Sequence, residues 1–413
     1  MALIVQKYGG TSVGAVERIQ KVARRCIATQ RAGNDVVVVV SAMSGETNRL
    51  LKLVSLVSPK PSEREQDVVV ATGEQVSIGL MALAIQSQKG KATSFLAHQC
   101  RIVTDSTFSK ARIKSIDGEK IFEVLKKKHI AVVAGFQGID DHGNITTLGR
   151  GGSDTTAVAI ASAIKADACE IYTDVDGVYT SDPNICPAAK KLQKISYEEM
   201  LELASLGARV LQIRSVEFAM KYRVPLWVKS SFSDDPGTLV CPEDASMEDV
   251  VVAGIAYDKN EAKIAIRGVP DIPGIAAQIF GALDAKSIVV DLIVQNVAKQ
   301  GKTDLTFTVG KTDLSKAKDV VKKMAKAIKA DAVETDDQIS KVSIVGVGMR
   351  NHSGVAAQMF QVLAKEGINI QMISTSEIRV SCVIHEKYTE LAVRTLHTAF
   401  GLDRQDPVTA AAS

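Results

Sequence analysis

Residues 36–40 read VVVVV, and the small polar segment SAMSGETN follows directly at residues 41–48. Five β-branched residues in succession are typical of a strand that is buried on both faces of a parallel sheet. Outward from this run, alternating patterns predict strands at residues 3–6, 93–97, 130–134, 169–172 and 225–228, and helices at residues 16–30, 75–86 and 153–164. We therefore expect an α/β fold, a three-layer sandwich with a mostly parallel sheet. Ligands of such sheets bind beyond the carboxyl ends of the strands.

Composition narrows the class of protein. The chain has 413 residues and a net charge of +3, with 4% aromatic residues, which argues against a base-stacking surface for nucleic acid. The N-terminus MALIVQKYGG does not resemble a signal peptide, and no uninterrupted apolar stretch approaches the roughly 18 residues of a membrane span. Six cysteines without C-x-x-C spacing fit reduced thiols, and no metal-ligand spacing is present. We expect a cytoplasmic protein with no nucleic-acid partner, no membrane partner and no metal site built from protein side chains alone.

A linker and an internal repeat divide the chain. Residues 233–246, SDDPGTLVCPEDAS, have the composition of a linker. Beyond them, GIAAQIF at residues 274–280 recurs as GVAAQMF at residues 354–360, an offset of 354 − 274 = 80 residues that continues without a gap. Such a repeat predicts two ferredoxin-like βαββαβ modules. The expected domains are residues 1–235, a linker with a first strand at 236–258, and modules at 259–332 and 333–413.

The segment KYGGTS at residues 7–12 follows the first predicted strand. Two glycines let backbone amides approach an oxyanion closely, and a lysine supplies a point charge for phosphate. A tight turn with a helix cap at Thr11 or Ser12 explains the segment equally well. Similarly, the hydroxyl groups of SAMSGETN could bind a small polar substrate or simply belong to a polar loop.

Two further segments combine charge with a helix start. Glu74 in ATGEQ, residues 71–75, is either an acid favoured by the helix dipole or a carboxylate that grips a substrate ammonium group. The segment LGRGGSDTT, residues 148–156, has paired glycines, Ser153 and Asp154 at a predicted helix N-terminus, which is typical of an anion-binding corner. A glycine turn with a helix cap would not account for Arg150, which can grip a carboxylate with two hydrogen bonds.

The acidic segment TDVDGVYTSDP, residues 173–183, suggests calcium at first sight. An EF-hand loop would need a glutamate at its last position, where this chain has Ile185, so we expect a loop for adenine and ribose instead. The sequence contains neither G-x-x-x-x-G-K-[ST] nor the H-R-D and D-F-G set. A phosphoryl-transfer enzyme with this sequence must use another scaffold.

In their order and spacing, KYGGTS, SAMSGETN, ATGEQ, TLGRGGSDTTA and YTDVDGVYTSDP resemble the motifs of aspartate kinases in the amino-acid kinase superfamily. GVPDIPGIAAQIF and NIQMISTSEI resemble the paired ACT modules of members that respond to lysine and threonine. The resemblance covers nearly the whole chain. It implies the amino-acid kinase fold and the reaction of ATP and L-aspartate to 4-phospho-L-aspartate and ADP with Mg²⁺, the first step toward lysine, threonine and methionine.

The resemblance also implies roles for particular residues. Lys7 would contact the transferred phosphate and Asp154 would hold Lys7, with the other catalytic positions at Gly9, Gly10 and Ser41. Aspartate would be bound by Thr47, Glu74, Arg150, Gly151, Gly152 and Ser153. The nucleotide would be bound by Lys7, Tyr8, Gly9, Gly10, Thr173, Asp174, Tyr179, Asp182 and Arg209. Members of the family often have arginine where this chain has Asn184 and lysine where it has Arg209. Both positions contact the nucleotide by analogy, so these two departures bear on the affinity for ATP.

For the second half, the resemblance implies feedback inhibition by lysine, threonine or both. The candidate effector contacts are Asp271, Gly274, Ala276, Asp291, Gln295, Asn369, Ile370, Thr375 and Ser376. The same residues could equally be the turn and edge-strand residues that pair the modules.

Assembly and function leave alternatives. The assembly would be a homo-oligomer, or an α2β2 complex in which an internal start at Met247 produces a separate β subunit. Two functions compete with the phosphorylation of aspartate: a kinase for glutamate, carbamate or UMP, and an amino-acid sensor without catalytic activity.

Overall fold

A computed structural model describes residues 1–207, 210–244, 247, 250–297 and 299–404, which form two compact units. The first unit contains the described residues of 1–179, 191–205 and 210–247, and the second contains those of 180–190, 206–207 and 250–404.

Strands and helices alternate in the first unit, as the sequence predicts. Its helices are α1 (Val16–Arg31), α2 (Glu46–Val57), α3 (Glu63–Val70), α4 (Thr72–Ser87), α5 (Glu119–Lys126), α6 (Gly152–Ala163), α7 (Tyr197–Ser205) and α8 (Ile213–Tyr222). Its strands are β1 (Leu3–Tyr8), β2 (Asp35–Val40), β3 (Ala92–Phe95), β4 (Val103–Thr104), β5 (Ile113–Ser115), β6 (Ile130–Ala134), β7 (Gln137–Ile139), β8 (Ile145–Thr147), β9 (Ala168–Thr173), β10 (Lys194–Ser196), β11 (Leu226–Ser230) and β12 (Thr238–Cys241).

The main sheet has eight strands in the order β10-β12-β11-β9-β1-β2-β6-β3, and only the β11–β12 pairing is antiparallel. The predicted α/β fold with a mostly parallel sheet is therefore confirmed. All five valines of β2 are buried, because α1 and α4 pack on one face of the sheet and α6 packs on the other. A smaller sheet, in the order β5-β4-β7-β8, lies within the same unit.

The apolar helical segment 63–87 consists of α3 and α4, interrupted only at Ala71. It contains an 18-residue window with a mean hydropathy of 1.7, which by length and composition would suit a membrane span. Half of that window is buried inside the protein, where Ile78, Met81 and Ile85 join the core against the main sheet. An apolar helix in the core of a folded unit has the same composition, so these residues need no membrane to bury them.

The second unit contains two small antiparallel sheets with helices packed against them. Its helices are α9 (Ile275–Asp284), α10 (Leu314–Ala327), α11 (Val355–Lys365) and α12 (Thr389–Ala399), with short 3₁₀ turns at Lys311–Asp313, Val347–Asn351 and Glu386–Tyr388. Its strands are β13 (Gly254–Asp258), β14 (Glu261–Pro270), β15 (Val290–Gln295), β16 (Lys302–Gly310), β17 (Ala332–Asp336), β18 (Ile339–Val345), β19 (Ile370–Thr375) and β20 (Arg379–His385).

The repeat is visible in the geometry of the two modules. Gly274 and Gly354 precede α9 and α11 with the same backbone angles, φ 92° and ψ −9°, a left-handed conformation that favours glycine. The first sheet, β15-β16-β14-β17, has the predicted βαββαβ order. In the second sheet, β13-β18-β20-β19, the fourth strand is instead β13, which precedes the first module and pairs with β18. The described part of the second module is thus βαββα, completed by a strand from upstream.

Candidate active site

Lys7 near the carboxyl end of β1 and Asp154 in the first turn of α6 form an ion pair, with Nζ 2.6 Å from Oδ1. Their side chains are 10% and 13% exposed. β1 lies between β9 and β2 in the middle of the main sheet, so the pair lies at the edge where ligands of parallel sheets bind. The helix begins after Gly151, whose φ of 68° favours glycine.

The loop after β1 passes directly over this lysine. A methyl group added at Gly9 would lie 3.4 Å from the Nζ of Lys7, and one added at Gly10 would lie 3.0 Å from the carbonyl oxygen of Ala42. The Gly9 N–H donates to the carbonyl oxygen of Tyr172, 3.2 Å away. Because no side chain lies between them, backbone amides and the Lys7 ammonium can approach the same anion.

Glu74 lies against the segment that follows β2. Its Oε1 accepts a 3.0 Å hydrogen bond from the Ala42 N–H, and the Ser41 N–H donates to the Tyr8 carbonyl oxygen at 3.1 Å. Glu74 is only 3% exposed, and its Oε2 is buried without a partner among the described residues. Burial raises the pKa of this carboxyl to about 7. A buried carboxylate oxygen without a donor is rare, and a substrate ammonium group would satisfy it. Thr47 is half-buried in the first turn of α2.

The start of α6 brings the predicted anion-binding corner to the same edge. Ser153 packs on the end of β6, since a methyl group at Gly135 would lie 2.9 Å from its Oγ. Gly152 is buried, whereas Arg150 is exposed and forms no ion pair within the described ranges. Arg150 lines a cavity of about 620 Å³ together with Lys110, Arg112, Ile113, Leu148, Gly149, Gln212, Arg214, Glu217 and Phe218.

The predicted nucleotide residues are only partly brought together. Thr173 ends β9, and its Oγ1 donates to the exposed Asp174 at 3.0 Å. The Tyr179 hydroxyl donates to Asp176 at 2.9 Å, and burial raises the pKa of Tyr179.

Tyr8, Asp182 and Arg209 are the other predicted nucleotide contacts. The side chain of Tyr8 is in the core, stacked on Tyr172 with ring centroids 4.6 Å apart, so a nucleotide could reach only its backbone. Asp182 belongs to the second unit, where it accepts hydrogen bonds from the Tyr257 hydroxyl and the Asn184 N–H, both 2.9 Å long. Arg209 lies outside the described residues.

Sequence reasoning considered Ser12 only as a helix cap and did not consider Ser231, which lies at the same edge. The Oγ atoms of Ser12 and Ser231 are 2.5 Å apart, and the Ser231 N–H donates to the Thr173 carbonyl oxygen at 2.9 Å. These contacts tie together the loops after β1, β9 and β11. The signal for Ser231 in the sequence is the serine pair at residues 230–231, one residue beyond the predicted strand at 225–228.

In the second unit the predicted effector residues separate into groups. Asp271, Gly274, Ala276 and Gln295 line one cavity of about 430 Å³. Asp291 instead forms an ion pair with the buried Lys341, which also contacts Glu261 at 3.0 Å. The remaining predicted residues are Ile370, which lines a separate cavity of about 770 Å³, and Asn369, Thr375 and Ser376, which are at or beside β19.

Comparison with known proteins agrees with this geometry. Residues 2–230 match the model of the amino acid kinase family, and residues 264–324 and 342–400 match the ACT domain. The chain is 59% identical over 404 residues to an aspartate kinase of Pseudomonas putida, with 98% of each chain covered. It is 48% identical over 411 residues to an aspartokinase of Corynebacterium glutamicum, again with 98% of each covered.

Solved structures with the same fold include E. coli aspartokinase III. Its complex with aspartate and ADP has a TM-score of 0.79 and 25% identity, covering 96% of this chain and 99% of that one. Its complex with lysine and aspartate has a TM-score of 0.78 at 25% identity, covering 97% and 99%. The Lys7–Asp154 edge, the paired ACT sheets and these full-length similarities identify the chain as a member of the aspartate kinases, phosphotransferases of the amino acid kinase family.

Proposed function

We propose that the chain transfers the γ-phosphoryl group of ATP to the side-chain carboxylate of L-aspartate, giving 4-phospho-L-aspartate and ADP. The observation that carries this proposal is the Lys7–Asp154 ion pair beneath the Gly9–Gly10 loop. A carboxylate is already ionised at neutral pH and needs no strong general base. The obstacle is repulsion between two anions, so catalysis depends on positioning and on positive charge around the phosphoryl oxygens.

Two groups at this edge suit the rest of the substrate. Glu74, through its unpartnered Oε2, would accept a hydrogen bond from the ammonium group of aspartate. Arg150 would bind the α-carboxylate with its planar fork of donors. Ser153 and Thr47 would add hydroxyl donors close to these two groups.

The nucleotide is proposed to be ATP with Mg²⁺. Mg²⁺ in such sites is held largely by phosphate oxygens and water with one or two carboxylates, and the exposed Asp174 could supply one. Thr173, Asp174 and the serine pair of Ser12 and Ser231 would lie along the nucleotide.

For the second unit we propose feedback inhibition by lysine, threonine or both. The cavity that includes Asp271, Gly274 and Gln295 has room for an amino acid. The E. coli relative in complex with lysine supports this class of effector. Coupling of this kind is typically about 1–3 kcal/mol and is reciprocal between effector and substrate.

The cellular setting is also a proposal. The reaction would be the first step toward lysine, threonine and methionine, in the cytoplasm, and six cysteines without disulfides agree with a reducing compartment. The assembly would be a homo-oligomer or an α2β2 complex with a β subunit started at Met247. The native mass, with one or two chain lengths on a denaturing gel, distinguishes the two.

The test is ADP release by the purified full chain with ATP, Mg²⁺ and L-aspartate, with and without lysine plus threonine. We expect turnover that depends on aspartate and falls when the two amino acids are added. Turnover without that fall would remove the proposed effectors and leave the kinase. Turnover with glutamate but not aspartate would overturn the proposed substrate.

A further inference from the structure

Asp67, in α3, is 1% exposed and is the acceptor of four hydrogen bonds from two separate segments. Its Oδ1 accepts from the Thr147 hydroxyl at 2.8 Å and from the Ser109 hydroxyl at 3.1 Å. Its Oδ2 accepts from the backbone N–H groups of Thr147 and Ser109, each at 2.8 Å. One carboxylate therefore fixes both the backbone and the side chain of two residues that are 38 positions apart, 147 − 109.

One of these segments leads to Arg150 and the other packs beside it. Thr147 is the last residue of β8, and Leu148 and Gly149 connect it to Arg150. Ser109 has a left-handed backbone with φ 64°, which a serine adopts only when its surroundings hold it there. A methyl group added at Gly149 would lie 3.1 Å from the Ser109 carbonyl oxygen, so the Ser109 loop forms the wall beside the Arg150 connection.

A second contact holds the same two segments from the cavity that Arg150 lines. The Arg214 guanidinium donates to the carbonyl oxygens of Leu148, at 2.8 Å, and Ala111, at 3.0 Å. The Ala111 N–H donates to the Thr147 carbonyl oxygen at 2.9 Å. The backbone before Arg150 is thus fixed through Asp67 and Arg214, whereas its exposed guanidinium has no ion pair within the part of the chain that the structure describes.

We propose that Asp67 is a positioning residue for substrate recognition: its carboxylate fixes the backbone that presents the Arg150 side chain to the α-carboxylate of aspartate. This inference rests on the role of Arg150 proposed above. Because the guanidinium lies at the end of a long side chain, a small rotation at Leu148–Gly149 displaces it. A misplacement of about 1 Å caused by a distant mutation can reduce the rate about 100-fold.

The first variant is Asp67→Asn, which preserves the shape but replaces one acceptor oxygen with an NH2 group, so that two of the four donors lose their acceptor in either orientation of the amide. We expect the KM for aspartate to rise about 10- to 100-fold while the KM for ATP changes less than about twofold. The matched control is Asp140→Asn. Asp140 is 3% exposed and accepts from Ser106, His142 and Asn144 at the opposite end of the β7–β8 hairpin. It should lower the Tm without changing the KM for aspartate.

The decisive experiment combines Asp67→Asn with Arg150→Ala. If Asp67 acts through Arg150, the double variant has the same KM for aspartate as Arg150→Ala alone. The inference would be overturned if the two substitutions multiplied their effects on the KM for aspartate. It would also be overturned if Asp67→Asn raised the KM values for aspartate and ATP equally, or if Asp140→Asn changed the KM for aspartate by the same factor.

Two outcomes separate this inference from the proposed function. If Arg150→Ala raises the KM for aspartate and Asp67→Asn does not, the inference fails and the function stands. If Arg150→Ala has no effect, the assigned role of Arg150 fails and the inference fails with it. Should Asp67→Asn not fold, Thr147→Val removes one donor from the same carboxylate and must give the same selective change in KM, or the inference is wrong.

Discussion

The ammonium of Lys7 lies 2.6 Å from the Oδ1 of Asp154, and this contact joins the central strand of the main sheet to the first turn of α6. The carboxylate lies beside the lysine ammonium in a place that water scarcely reaches. The other N–H groups of the lysine remain available to a phosphate beneath the glycine loop. The pair thus connects the stability of the sheet edge with the charge that the reaction needs.

Lys7→Ala should lower kcat at least about 100- to 1,000-fold, as expected when a preorganised charge near the phosphoryl group is lost. It should also cost on the order of 3–5 kcal/mol of unfolding free energy, because Asp154 is left buried without its partner. Lys229→Ala is the matched control, since Lys229 pairs with Glu170 at 2.6 Å in the same sheet. Steady-state kinetics and urea unfolding of both variants test this, and an unchanged kcat for Lys7→Ala would remove its assigned role.

Glu74→Gln should make the protein more stable above pH 7 and less active. In the folded protein the Glu74 pKa is about 7, against an ordinary value of 4.5. The folded state therefore binds the Glu74 proton more tightly than the unfolded state does. The stability that this bound proton contributes is full below about pH 4.5 and is lost as the pH rises through about 7. Glutamine avoids that loss, which is about 3 kcal/mol at pH 8.

The activity of the unmodified chain should show the same ionisation. The ionised carboxylate binds the substrate ammonium, so kcat/KM for aspartate should rise between pH 6 and 8 as Glu74 loses its proton. The exposed Glu63 supplies a control in Glu63→Gln. A stability difference between Glu74→Gln and the unmodified chain that is the same at pH 5 and pH 8 would contradict this account.

Gln295→Ala should weaken inhibition by lysine plus threonine while the KM for aspartate stays unchanged. Gln295 lines the 430 Å³ cavity, and loss of a coupling of about 1–3 kcal/mol corresponds to a rise of at least about fivefold in the half-inhibiting concentration. Thr335→Ala, in the 770 Å³ cavity, serves as the comparison. If Thr335→Ala rather than Gln295→Ala relieves inhibition, the effector site is in the larger cavity.

Lys341→Met should destabilise the second unit by on the order of 3–5 kcal/mol, because the buried Glu261 then lacks a compensating charge. Burial raises the pKa of Glu261, so the loss of stability should be smaller at pH 5 than at pH 8. Adding Glu261→Gln should restore a large part of the stability. Thermal unfolding at both pH values measures this, and a double variant no more stable than Lys341→Met would count against it.

The sequence predicted the central strands well because their signal is local. The continuous apolar runs at 36–40 and 130–134, rich in β-branched valines, are typical of strands in a sheet that is covered on both faces. The small sheet was not predicted, since β4 has only two residues, Val103–Thr104, and no periodicity. The place of β13 in the second sheet was not predictable either, because its partner strand begins only after the whole first module.

The same distinction holds for the site. A charge at a predicted strand end singled out Lys7, and charges at predicted helix starts singled out Glu74 and Asp154; the fold brings Lys7 and Asp154 into contact where strand ends converge. Asp67 was missed because a single acid before an apolar run gives no signal of which donors will surround it. The contact of Ser12 with Ser231 depends on β11 lying next to β9, which only the folded chain reveals.

The origin of β13 has a consequence for how the chain is made. On the ribosome, β13 emerges while the entire β14–β17 module is still to be synthesised, which takes on the order of ten seconds at about 5–20 residues per second. During that time its ladder edge has no partner and is open to wrong pairing. β13 directly precedes β14, and β18 directly follows β17. Because β14 and β17 are hydrogen-bonded neighbours, early folding of the β14–β17 module brings β13 and β18 together and shortens the loop that must close. Completion of the sheet β13-β18-β20-β19 is therefore favoured when the β14–β17 module folds first, during translation.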